Sequence, residues 1–119
     1  MKKNANDLAE FRKMGNEIED LRMHIEAAKG KIIAVLRQDQ DSDGDFSERA
    51  EYFLELLLHA ERVLEVLRHD LTECREALLS DVQYFAATKK ERFRAIGNDI
   101  LKTGELVGEI LAAVPSKNT

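Results

Sequence analysis

Asp39, Asp41 and Asp43 alternate with other residues in the stretch DQDSDGDFSERAE, which continues through Gly44 and Asp45 to Glu48 and Glu51. Carboxylates spaced by two can converge on one hard cation when a glycine lets the chain turn sharply, so calcium coordination is the chemistry this spacing would serve. The other residues able to do chemistry are scattered. His24, His59 and His69 fall on different faces of their helical segments and lack the spacing of a zinc or di-iron site. Cys74 stands on an apolar column and reads as a small hydrophobe rather than a reactive thiol. No combination of nucleophile, base and oxyanion donors and no glycine loop for phosphates is visible, so no catalytic residue is assigned and no enzyme is expected.

The acidic stretch resembles a calcium loop of the EF-hand family, with Asp39, Asp41 and Asp43 at its first, third and fifth positions, Gly44 at the sixth and Phe46 at the eighth. That resemblance implies calcium held by Asp39, Asp41, Asp43, Asp45 and Glu51. It departs where the family supplies a bidentate glutamate, because Ala50 takes the twelfth position and Glu51 comes one residue late. An acidic loop between helices, with no cofactor, is therefore the preferred reading. LRHDLTE, with His69 followed by Asp70, resembles the phosphoacceptor box of dimerising histidine kinases. Glu73 stands where that family usually has Asn or Thr. Helical phosphatases that act on receiver domains are similar in architecture, but they place a water with an acidic residue and an amide four residues on. Here Asn16 and Asp20 offer only the reverse order.

What must position these residues is legible in the composition. The 119 residues suit one domain, and 34% charged residues, 6% aromatic residues and a single proline, Pro115, favour long solvated helices over a sheet. The formal net charge of −5 argues against nucleic acid and against an anionic membrane as partners. The apolar runs are far shorter than the roughly 20 residues of a membrane span. One unpaired cysteine and an N-terminus without an apolar leader point to a reducing cytoplasm.

Heptads divide the chain into three helices. Phe11, Met14, Ile18, Leu21, Ile25, Ala28, Ile32 and Val35 form one seam, predicting a helix over about 5–38. Leu57, Leu64, Leu71, Leu78 and Phe85 share a column beside Phe53, Ala60, Leu67 and Cys74, predicting a second over about 47–87 after an acidic loop at 39–46. Asp45 with Glu48, and Thr88 with Glu91, have the form of capping boxes. Continuing the second register would bury Arg92 and Asp99. Phe93, Ile96, Ile100, Val107, Ile110 and Val114 instead start a new seam, which predicts a turn at 86–89, a third helix over about 89–114 and a tail at 115–119. The expectation is an all-α, elongated, antiparallel up-down-up three-helix bundle in a single domain over 1–119, with coiled-coil-like packing.

FRKMGNEI, Phe11 to Ile18, returns as FRAIGNDI, Phe93 to Ile100. In such a bundle the first and third helices start at one end, so Phe11 and Phe93 share a layer, as do Gly15 and Gly97. Helical glycine costs about 1 kcal/mol against alanine, so these positions suggest close approach. Asn16 and Asn98 read as solvated surface. Gly97, Leu101, Gly104, Gly108 and Leu111 make a second stripe on the third helix, a face for another neighbour.

The second helix, about 41 residues, should span roughly 60 Å and the third, about 26 residues, roughly 39 Å, leaving YFLELLL uncovered. Phe53, Leu54, Leu56, Leu57 and Leu58 are therefore expected to form an interface, completed by homodimerisation. Lys2, Lys3, Arg12, Lys13, Lys89, Lys90, Arg92 and Arg94 gather at one end, opposite the acidic loop. These features together predict a non-catalytic module that binds another protein: an adaptor, chaperone or regulatory subunit. The alternatives are a helical phosphotransfer or receiver-phosphatase-like module, and a calcium-responsive helix pair.

Overall fold

The computed structural model describes residues 2–38 and 44–114, all of them helical apart from Asp81 and Val114. Three long helices, α1 (Lys2–Gln38), α2 (Gly44–Ser80) and α3 (Lys90–Ala113), pack against one another in a rod of 61 × 23 × 15 Å. Between α2 and α3 lie a single α-turn at Val82–Tyr84 and a π-helical turn at Phe85–Lys89. Contacts between α1 and α3 climb together, from Asp7 with Lys90 to Phe11 with Phe93 and Leu21 with Gly104, so these helices are parallel. Lys29 pairs with Glu61 while Phe11 meets Phe85, so α2 runs the opposite way. The up-down-up bundle is thus the fold.

One apolar core runs the length of the rod. On α1 the seam from Phe11 through Ile18, Ile25, Ala28 and Ile32 to Val35 is buried, with Met14 and Leu21 half-buried at its edge. Both columns expected on α2 are buried from Leu57 to Leu78, Cys74 included. On α3 Phe93, Ile96, Ile100, Val107 and Ile110, with Val114 just past its end, are joined by Thr103, which fills the heptad step between Ile100 and Val107. Its hydroxyl donates to the Asp99 carbonyl at 2.8 Å, so a polar residue occupies a core position without an unmet hydrogen bond.

The turn into the third helix falls earlier than the expected 86–89, and the second helix ends at Ser80 rather than near 87. Asp81 is the break: its backbone is extended (φ −157°, ψ 104°) and its carboxylate accepts from the Gln83 and Tyr84 N–H groups. Thr88 does not cap; it lies in the π turn, where its hydroxyl donates to the Tyr84 carbonyl at 2.7 Å. The π turn has a geometric purpose. Phe85 and Phe93 are eight residues apart, which in a regular α-helix sets them about 80° from each other; absorbing one residue brings the difference to about 20°. Both rings then face the core, where Phe11 lies 5.7 Å from Phe85 and 4.3 Å from Phe93 between centroids.

At the other end α2 begins at Gly44, so Asp45 lies inside the helix instead of capping it and the expected loop at 39–46 is shortened. Asp39, Asp41 and Asp43, like the tail at 115–119, lie outside the described residues.

The two repeat glycines differ because the same heptad position meets a different neighbour round the bundle. Gly97 faces α1, where a Cβ would come 3.1 Å from the Met14 methyl, while Gly15 faces the α2 side with nothing within 4 Å. Gly15→Ala should therefore stabilise by about 1 kcal/mol, and Gly97→Ala by clearly less because Met14 must yield. Thermal unfolding of both variants checks this; equal gains would mean that Met14 does not pack on α3.

Candidate functional site

The exposed apolar patch expected in YFLELLL is smaller than the sequence suggests. Leu57 points inward and is fully buried, and Phe53, Leu54 and Leu56 are half-buried against the core. Of its apolar and aromatic residues only Leu58 and, just before the predicted set, Tyr52 remain exposed, at 48% and 60%. The expected glycine stripe also divides. Gly97 and Gly104 receive Met14 and Leu21 from α1, so the close approach is internal, whereas Leu101 is 62% exposed, Gly108 faces open space and Leu111 is half-buried.

The basic end is partly neutralised from within. Lys90 donates to Asp7 at 3.1 Å and lies 5.7 and 5.9 Å from the Phe85 and Phe93 ring centres, tying α1 to the aromatic cluster. Arg92 donates to Asp70 at 2.6 Å and ties α3 to α2. Lys13 and Arg94 are exposed, Lys89 is half-buried, and Arg12 lies beside α2 rather than with the other cations.

The residues weighed for chemistry are dispersed. Ala50, at the position where a calcium loop needs its glutamate, is fully buried, while Glu51 is exposed. α2 has already begun at Gly44, so the later positions of that pattern lie on a helix. Among the described residues no group of three or more His, Cys, Asp and Glu could hold a metal. His69 is exposed on α2, with its Nε2 3.4 Å from Glu73 one turn on. Cys74 is buried, and that burial raises its thiol pKa above the ordinary value.

The feature the sequence reading missed is a groove of about 580 Å³ between α2 and α3. Val63, Val66, Leu67, Ala95 and Ile96 give it an apolar floor, and His59, Arg62, Asp70, Glu91, Arg92 and Asp99 line it with both signs of charge. Val66, on the wall of this groove, is 58% exposed. Val63 and Val66 lie off the two heptad columns and read singly as stray surface residues; only the antiparallel register sets them opposite Ala95 and Ile96. A groove of this shape can take the apolar edge of a helix and pair charges on both sides of it.

Cys74 supplies a check on the placement of this face, since α2 carries both. A thiol reagent should react with Cys74 in the folded protein at least a hundredfold more slowly than in denaturant, because the buried sulfur is reached only on opening. Comparable rates would place Cys74 outside the core. No helix in the described residues is long and apolar enough to cross a membrane. Compared with protein-family models, with curated proteins and with solved structures, the chain matches none.

Proposed function

We propose that this protein is a non-catalytic interaction module, a cytoplasmic adaptor, chaperone or regulatory subunit that binds another protein through exposed helical faces. The observation that carries the reading is the α2–α3 groove, where apolar side chains of two helices stay open to solvent between charged rims. Binding a helix there would extend the bundle by its own packing rules, removing Val66 and the edge of Val63 from water and satisfying Arg62 and Asp99 at the rim. Self-association belongs to the same reading: a second copy over the start of α2 would cover Tyr52 and Leu58.

Two measurements test it. Light scattering behind a sizing column, at several concentrations, should give a dimer that Tyr52→Glu with Leu58→Glu returns to monomer at unchanged helicity; an unaltered mass would remove the dimer. For the partner, Val66→Glu should weaken the binding of whatever protein the wild type retains by at least tenfold, at unchanged circular dichroism. A retained protein indifferent to Val66→Glu would move the site away from this groove, and no retained protein at all would remove the adaptor reading.

A further inference from the structure

We propose that the second groove of the rod, between α1 and α2, docks an acidic amphipathic helix of a partner protein, an assignment that rests on the interaction reading above. This groove, about 480 Å³, has Leu8, Leu71 and Leu79 as its apolar surface, over the buried Phe11 and Ile18. Arg12 borders it on α1, and Arg68 and Arg75 border it on α2. The single carboxylate along it, Glu19, is already paired with Arg22 at 3.2 Å.

The charge is the argument. Lys29, Lys90 and Arg92 each meet a carboxylate of a neighbouring helix, whereas Arg12, Arg68 and Arg75 form no ion pair among the described residues. In a chain of net charge −5, an apolar cleft with three unpartnered guanidinium groups asks for carboxylates. Arg68 and Arg75 are seven residues apart on one helix, about 10 Å, which matches acidic residues repeated every two turns on a docked helix. Between them an apolar stripe on that helix would meet the floor.

Gly15 keeps the groove open. Its counterpart Gly97 is filled by Met14, but at Gly15 nothing lies within 4 Å of where a Cβ would stand. A close approach of a foreign helix is the use this vacancy allows, and a long side chain at position 15 would take that place without disturbing the core.

The test uses two fluorescein-labelled helical peptides of about 18 residues with the same leucine stripe. One is flanked by glutamates and one by lysines, and binding is followed by anisotropy at two salt concentrations. The glutamate peptide should bind and weaken with salt. Arg68→Glu with Arg75→Glu should reduce its affinity at least tenfold and turn the preference toward the lysine peptide. Gly15→Leu should weaken binding with no change of charge, at unchanged helicity. Several outcomes would overturn the assignment: equal affinity for both peptides, indifference to these variants, tighter binding of a single-stranded oligonucleotide, or no binding of the glutamate peptide at about 1 mM. Partner capture that depends on Val66 would survive any of these, so failure here is distinguishable from failure of the interaction reading itself.

Discussion

The reversal between α2 and α3 is the constraint on which the rest of the bundle depends. One extended residue, Asp81, separates two helices that must lie side by side, and on the returning stretch Phe85 and Phe93 are out of heptad step by one residue. The π turn at Phe85–Lys89 removes that residue from the register. It succeeds because three rings reward it: Phe11, Phe85 and Phe93 meet at 4.3 to 5.8 Å between centroids. Each such pair adds about 0.5–1.5 kcal/mol beyond its buried area. Once Phe93 sits beside Phe11, α3 has to run parallel to α1, and every later layer follows.

Charge then sets which edges of the helices face each other, with much less energy. Lys29 donates to Glu61 at 2.8 Å, and that bond raises the lysine pKa and lowers the glutamate pKa. The glutamate's contribution is present above its ordinary pKa and is lost as pH falls through the lowered value. The lysine's is present below its ordinary pKa and is lost as pH rises through the raised value. Across the neutral range the pair is therefore constant. Its side chains are 22% and 32% exposed, which limits it to at most about 1 kcal/mol, against 2–5 kcal/mol for truncating one core leucine or isoleucine. The seam holds the bundle and the ion pairs select its lateral register.

The seams were legible because burial at steps of three and four follows from helix geometry alone; Ile18, Ile25, Leu64, Ile96 and Ile110 needed no other information. The turn was not. A capping box announces itself by a paired Glu, as at Thr88 and Glu91, whereas Asp81 caps with its own carboxylate and Tyr84 stands where the Glu would be. Thr103 was passed over because a hydroxyl looks polar, although its bond to the Asp99 carbonyl makes it a core residue. Lateral features were the least visible. Leu57 and Leu58 are adjacent in sequence, yet one is fully buried and the other 48% exposed, a distinction that depends on where α1 and α3 lie. The grooves likewise arise between helices, from pairs such as Val66 and Ala95 that no single helix reveals.

A three-helix rod has three lateral clefts, and this chain treats them unequally. The α1–α3 cleft takes Met14 against Gly97 and Leu21 against Gly104, which leaves a smaller groove of about 400 Å³ rimmed by Glu17, Asp20 and Glu105. The other two hold larger grooves, one with charges of both signs and one dominated by arginine. Since α2 is the shared wall and its buried columns from Leu57 to Leu78 hold it firmly, neither groove must be formed when a helix arrives. A docking surface carried on a preformed scaffold loses little conformational entropy on binding, so even modest apolar contact and a few charge pairs translate into affinity. The inequality of the clefts also provides discrimination. On the proposed docking, a helix edged with carboxylates would gain from Arg68 and Arg75 in one groove and would find Glu91 and Asp99 beside Arg62 in the other, so its own charge pattern would bias which side of α2 it occupies.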